Sequence, residues 1–141
     1  MNREIKFRGK IIGKESDWWY GFYFKRNTKY YILDPARDCF RDVLEVFPET
    51  VGQFIGLCDE KDKEVYEGDI IQQVNFNGEQ YTAVYEVVYC ADAFCLKMIK
   101  GNEKAMEIKG LHSFGHIENN KLRKGVVIGN IHDNPELLKS E

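Results

Sequence analysis

The sequence predicts a mainly β fold, a small barrel or sandwich of short antiparallel strands with one or two short helices. Two observations predict it. Short runs rich in Tyr, Phe, Trp, Val and Ile recur along the chain, and these residues favour the pleated, half-buried surface of a sheet. Turn signals separate the runs at close intervals, as in small all-β domains.

The elements follow in order. Glu4 to Lys10 alternates, with Ile5 and Phe7 on one side and Lys6, Arg8 and Lys10 on the other; this is a half-buried strand with a basic outer face. "DWWYGFYFKRNTKYYIL" reads as two aromatic strands joined by a five-residue loop, Lys25 to Lys29. Asp34-Pro35 has the form of a helix start, an acceptor followed by proline at the first helical position. Phe40, Val43, Leu44 and Phe47 carry helical spacing, but Pro48 pushes Phe47 out of the α region. The expectation is a turn of helix near 35–40 and an extended segment after it. Val51 to Leu57, Val65 to Tyr66, Ile70 to Phe76 and Tyr81 to Tyr89 are strands, and Asn77-Gly78 is a hairpin turn. Residues 94–100 and 105–111 form a further hairpin, residues 126–131 a last strand, and Asn134-Pro135 starts a short helix over Glu136 to Lys139.

At 141 residues the chain is long enough to fold as one domain, 1–141, with a subdivision into N-terminal strands 1–48 and a barrel-like part 49–141 as the alternative. No 18-residue apolar run offers a transmembrane helix, and the N-terminus has no secretory h-region. A cytoplasmic location is therefore expected, with the cysteines Cys39, Cys58, Cys90 and Cys95 reduced. A net charge of −3 argues against a surface dominated by phosphate contacts.

The densest stretch is "PETVGQFIGLCDEKDKEVYEGDIIQQV", which holds Asp59, Glu60, Asp62, Glu64, Glu67 and Asp69. Counted from Asp59, a calcium loop fails where Lys61, Lys63 and Glu64 stand at the third, fifth and sixth positions. A carboxylate pair for hydrolysis needs rigid elements facing a cleft. The favoured reading is structural: Asp59 to Lys63 is a solvated loop, and Glu67-Gly68-Asp69 is a tight turn with its side chains in water.

"PETVGQFIGL" and "EVYEGDII" resemble the YopX family of bacteriophage and prophage proteins. Arg3-Glu4-Ile5-Lys6-Phe7-Arg8 is similar to that family's opening, Trp19-Tyr20-Gly21 to its W-x-G-type strand, and "VIGNIHDNPELL" (Val127 to Leu138) to its closing motif. The resemblance spans nearly the whole chain except roughly 75–125. It departs at the 59–63 loop, which lacks Asn-Gly or Asp-Gly, at Cys58 in place of a polar residue, and at His132 in place of an aromatic. The resemblance implies carriage on phages or mobile elements, a β-rich fold and homo-oligomers. It implies no established activity and supplies no catalytic residue.

Two constellations compete with a purely structural reading. Cys90 and Cys95 (C-x4-C) precede His112 and His116 (H-x3-H) by sixteen residues, close to a zinc-closing set. The long spacer, and Gly110 and Gly115 around the histidines, argue against it, so no metal or other cofactor is expected. A Cys-His nucleophilic site has no motif behind it, and neither Walker A nor GxGxxG is present. The second constellation is basic and aromatic: Lys6 and Arg8 on the first strand, Lys25, Arg26 and Lys29 in the first loop, and the run Trp18 to Phe24 between. Small β-barrels bind single strands with such a pairing. Consecutive aromatics equally suit a strand buried on both faces, by the core and by a second subunit.

The expectation from sequence is a non-enzymatic accessory or regulatory protein acting by protein interaction and self-association, with host or phage proteins as partners and no membrane. Its alternatives are a nucleic-acid-binding β-barrel regulator and a small zinc-stabilised module.

Overall fold

A computed structural model describes residues 4–35, 43–74, 82–90, 92–102, 110–112, 117–118, 121–122 and 125–139. The chain divides into two compact units, Met1–Phe54 and Ile55–Glu141. It is mainly β, and among the described residues the strands form two sheets, antiparallel apart from one short ladder, with no closed barrel.

The first unit contains β1 (Phe7–Ile11), β2 (Lys14–Arg26), β3 (Lys29–Leu33), β4 (Val43–Glu45) and the beginning of β5 (Gly52–Cys58). Its strand order is β5-β1-β2-β3-β4. The long β2 serves two neighbours in turn: Trp18 to Gly21 pair with β1, and Phe22 to Arg26 pair with β3. Just past β4, Val46 bridges back to Ile11 of β1, with the Ile12 amide donating to the Glu45 carbonyl and the Phe47 amide to the Lys10 carbonyl, each at 3.0 Å. The aromatic hairpin closes more tightly than its sequence suggests. Arg26 pairs with Lys29, leaving Asn27-Thr28 as a two-residue turn in place of the expected five-residue loop. Asn27 adopts φ 60° there, a left-handed conformation its short amide side chain tolerates.

The inner face of this unit is small. Ile32 and Val46 are fully buried, and Gly9 lets the strands close over them: a Cβ there would lie 3.1 Å from Val46 and 3.2 Å from Ile32 and Val51. After β4 the chain makes a 3-10 turn, Pro48–Thr50. Thr50 ties that turn to β1, its hydroxyl donating to the Phe47 carbonyl (2.6 Å) and accepting from the Lys10 amide (2.9 Å). The extended segment expected after residue 42 is present as β4; the helical turn expected near 35–40 falls outside the described residues beyond Pro35.

The second unit takes the rest of β5, then β6 (Glu64–Tyr66), β7 (Asp69–Val74), β8 (Thr82–Cys90), β9 (Ala93–Gly101), β10 (Leu111–His112), β11 (Ile117–Glu118), β12 (Lys121–Leu122) and β13 (Gly125–Asn130). Five strands run in the order β10-β9-β8-β7-β13. β6 pairs with β5, and β12 pairs with it in parallel at Lys121 and Cys58. Ile55, Val65, Ile71, Ala83, Tyr85, Val87, Leu96, Met98 and Leu122 form one buried cluster; most are β-branched or aromatic residues on alternate positions of their strands, as burial of one sheet face requires. The turn predicted at Asn77-Gly78 and residues 103–109 lie outside the described residues, while Lys100-Gly101, expected in the turn of the 94–111 hairpin around Lys100-Gly101-Asn102, continue β9.

Helical structure is sparser than expected. The described residues contain no helix of seven or more residues, and the predicted C-terminal helix is the 3-10 turn Pro135–Leu138. No described helix is long and apolar enough to cross a membrane. Polar side chains hold the chain end before that turn. Asn130 Oδ1 accepts from the His132 and Asp133 amides at 3.0 and 2.8 Å, and Asn134 Oδ1 accepts from the Asn130 amide at 3.2 Å.

Candidate functional site

Successive side chains of a strand point to opposite faces, so β2 sorts its aromatic run into two rows. Trp19, Gly21 and Tyr23 form the inner row, with Tyr23 packed between Phe7 (ring centroids 5.5 Å) and Tyr30 (5.9 Å). Burial, and then the neighbouring Tyr30, push the Tyr23 phenol above its ordinary pKa. The outer row is Tyr20, Phe22 and Phe24, which are 44%, 53% and 39% exposed. The register adds Leu33 beside Phe22 and Tyr31 beside Phe24, the latter stacked at 5.5 Å.

Cations share this outer face. Arg26 follows Phe24 in the same row and pairs across with Lys29; both are exposed. Arg8 pairs with Tyr20 and Lys10 with Trp18, and both charges lie over the Trp18 ring, at 4.6 and 5.4 Å. Lys6 sits 5.2 Å over Phe54 and 2.7 Å from the Glu4 carboxylate. A half-open cavity of about 370 Å³ is lined by Glu4, Ile5, Lys6, Tyr20, Phe22 and Asp34, among others.

Two expectations change here. The first strand presents its basic outer face to water only in part: Lys6 and Lys10 are half-buried and Arg8 is only 5% exposed. The reason is Trp18, whose ring covers the guanidinium and attracts it through its quadrupole. The basic loop is also not one cluster. Arg26 and Lys29 belong to the outer face, whereas Lys25 pairs with Tyr30 on the inner face and lies 5.5 Å over its ring. Sequence reading missed this division. Its signal was the alternation itself, with Gly21 in one row and large rings throughout the other.

The acidic stretch resolves differently. Asp59 and Asp69 are each 1% exposed, contrary to the expectation of solvated turns. Asp59 Oδ1 accepts from the Lys61 and Lys63 amides at 2.8 and 2.9 Å, and Oδ2 accepts from the Val127 amide at 2.9 Å. The Glu60 amide donates to the Gly125 carbonyl at 2.9 Å, so this turn satisfies the outward-facing groups of β13. Asp69 Oδ2 accepts from the Tyr66 amide at 2.8 Å and closes the β6–β7 turn. Both carboxylates do structural work, because buried backbone N–H groups must find acceptors.

For the zinc-like set, Cys90 and Cys95 lie on the two strands of the β8–β9 hairpin, where Cys90 pairs with Ala93 and Cys95 with Val88. His112 has Leu96 as its backbone partner, one residue away from Cys95, and His116 lies outside the described residues. Among the described residues no group of three or more His, Cys, Asp or Glu side chains is placed to hold a metal.

Burial raises the pKa values of the Cys58 and Cys95 thiols, with the carboxylates of Glu64, Asp62 and Asp59 adding to the effect at Cys58. The thiolate is the reactive form, so its fraction near pH 8 is below that of a free cysteine. Iodoacetamide is therefore expected to label Cys58 and Cys95 more slowly than free cysteine at pH 8, with the rate climbing only at higher pH. Mass spectrometry of time-quenched samples checks this, and labelling as fast as the free amino acid would refute it.

The family model for YopX protein matches residues 6–139. No curated protein matches the chain. A solved structure, protein EF1440 from Enterococcus faecalis, is similar over 98% of this chain and 100% of its own, with 19% identity and a TM-score of 0.51. At that identity the likeness concerns the fold.

Proposed function

This chain belongs to the YopX family, and from that premise we propose a phage- or prophage-borne accessory or regulatory protein that works by binding and not by catalysis. The observation that carries the reading is the outer row of β2. Three large rings, Tyr20, Phe22 and Phe24, stand between 39% and 53% exposed at alternate positions of one strand, flanked by Leu33 and Tyr31. Large apolar side chains exposed together in one row are uncommon on a solitary soluble surface and mark contact sites. Of the acidic residues that first suggested chemistry, the two buried ones, Asp59 and Asp69, are occupied in backbone hydrogen bonds, which supports binding over turnover. Self-association belongs to the same reading and is supported by Tyr89, Ile128 and Leu138, exposed in the second unit.

A photocrosslinking residue placed at Phe22 tests the reading in cells that carry the gene's native phage or prophage. Adducts to a macromolecule are expected at Phe22 and not with the same residue at Glu15, which is exposed near the other end of β2. Equal yields at the two positions, or no adduct at Phe22, would refute the face as a contact site. Native mass spectrometry tests self-association separately: an assembly of several chains supports it, and a strictly monomeric mass overturns it.

A further inference from the structure

We infer that the outer face of β1, β2 and β3 takes single-stranded nucleic acid, a deepening that rests on the reading of this face as the binding surface. The first argument is the ladder of rings. Residues two apart on a strand are about 6.8 Å apart, so Tyr20, Phe22 and Phe24 form evenly spaced platforms along a line. That spacing is twice the roughly 3.4 Å step per nucleotide of a stacked strand. A single strand extended to about 6.8 Å per nucleotide can lay consecutive bases on consecutive rings. Stacking on aromatic side chains while cations follow the backbone is how sequence-tolerant single-strand binders work. Bases inside a duplex have their faces covered already, so the ladder favours unpaired strands.

The second argument is charge. Arg26 and Lys29, both exposed, close one end of the ladder, and the half-buried Lys10 lies beside it on β1. Trp18 holds the Lys10 charge 5.4 Å from its ring, while the Arg8 guanidinium, 4.6 Å from the same ring, is buried beneath it and is not counted among the phosphate contacts. An apolar protein partner would strip water from these cations without supplying opposite charge, which is costly. A phosphate backbone supplies a charge at every nucleotide. The net acidity of the chain does not oppose this. Residues 1–54 hold ten Lys and Arg against eight Asp and Glu, whereas residues 55–141 hold ten against fifteen. The unit that carries the face is the basic one.

The third argument is the cavity of about 370 Å³ beside the ladder, whose lining includes Tyr20 and Phe22 together with Lys6, paired to Glu4, and Asp34. It offers a base ring contacts and polar groups for its edge; the carboxylates there suit base N–H groups and not phosphate.

The test uses the full chain and a fluorescein-labelled 20-nucleotide oligo-dT, followed by fluorescence anisotropy across a salt series, with a 20-base-pair duplex alongside. Binding is expected to favour the single strand and to weaken as salt rises. The double change Phe22→Ser/Phe24→Ser removes two stacking platforms and is expected to weaken binding by at least about 30-fold. Arg26→Gln/Lys29→Gln touches no buried group and is expected to flatten the log–log salt slope by about 1.4. Lys25→Gln, on the other face, leaves the slope unchanged. The charge variant keeps the test decisive if the serine variant fails to fold. No binding up to about 100 μM oligonucleotide at low salt overturns the inference, since non-specific binders reach that range. Tighter binding to the duplex also overturns it, as does a salt slope untouched by the Arg26/Lys29 change. Oligonucleotide binding absent while Phe22 crosslinks to protein overturns the nucleic-acid partner and leaves the face standing as a protein interface. Absence of both overturns the two readings together.

Discussion

Gly21→Ala is expected to unfold the first unit or cost it about 4 kcal/mol or more, an effect in the exceptional range for one methyl group. A Cβ at Gly21 would lie 2.0 Å from the Leu33 carbonyl oxygen and 2.8 Å from its carbon. Those are backbone atoms, with no flexible side chain to swing away. The glycine also holds φ 150°, a region that L side chains avoid. Relief requires β2 and β3 to separate where β2 changes partner from β1 to β3. The outer row would lose its registration with Tyr31 and Leu33 at the same time. Gly13 provides the control: it too has positive φ, 95°, but a Cβ there meets nothing within 4 Å, so Gly13→Ala should cost only about 1 kcal/mol. Urea denaturation of the two variants checks the contrast. A Gly21→Ala protein as stable as Gly13→Ala would show that β2 and β3 can part without loss.

Gly21 also shows how much of the molecule was legible in its sequence. The aromatic runs announce β2 and β3, and the hydrophobic strands of the second unit follow the same logic, because residue preference and alternation are local properties. Registration between distant strands is not local. Gly21 stands out only as a gap in the aromatic run, and the oxygen that makes it necessary belongs to Leu33 across the hairpin. The same limit explains Arg8. Alternation assigns it correctly to the face of Lys6 and Lys10, but its burial depends on Trp18, which β1 meets only after the chain reverses. Placing Lys25 with Arg26 and Lys29 failed for a related reason. Nearness in sequence is not nearness in space here, because a strand that continues through Arg26 sends neighbouring residues to opposite faces. Of the expected barrel or sandwich, the closed barrel is absent among the described residues, because closure depends on ladders between strands that no local pattern specifies.

Those assignments affect how the face can be used. Were Lys25 part of it, the three cations would form one patch at the hairpin tip, suited to a point anion. Divided as they are, Arg26 and Lys29 terminate a line of rings, with Lys10 along its flank. A line of apolar contacts edged by cations suits an extended polymer. The cation–π contact of Lys10 with Trp18 contributes by reducing the conformational freedom of that long side chain before any partner arrives, which lowers the entropy lost on binding.

Asp59→Ala is expected to destabilise the second unit by about 3–5 kcal/mol, through groups far apart in the chain. Its two carboxylate oxygens accept three backbone N–H groups, from Lys61, Lys63 and Val127. Hydrogen bonds to a charged acceptor contribute about 1.5–3 kcal/mol each, and a buried donor left alone costs about 1–3 kcal/mol; water reaching the two turn amides would offset part of the sum. Val127 is the sensitive donor, because it sits 68 residues from Asp59 and on a strand whose other side pairs with β7. Asp59→Asn retains one carbonyl oxygen but turns an amide nitrogen toward N–H donors, so a loss of about 1–3 kcal/mol is expected. Glu60→Gln, exposed in the same turn, should fall within about 0.5 kcal/mol of the parent. Thermal unfolding ranks the three, and hydrogen exchange identifies the cause: Val127 should lose protection in Asp59→Ala before the β8–β9 amides do. A destabilised Asp59→Ala protein with Val127 protection intact would assign the cost to the Lys61–Lys63 turn alone. Full stability in Asp59→Ala would refute the role of this carboxylate, and the acidic stretch would return as a candidate for chemistry.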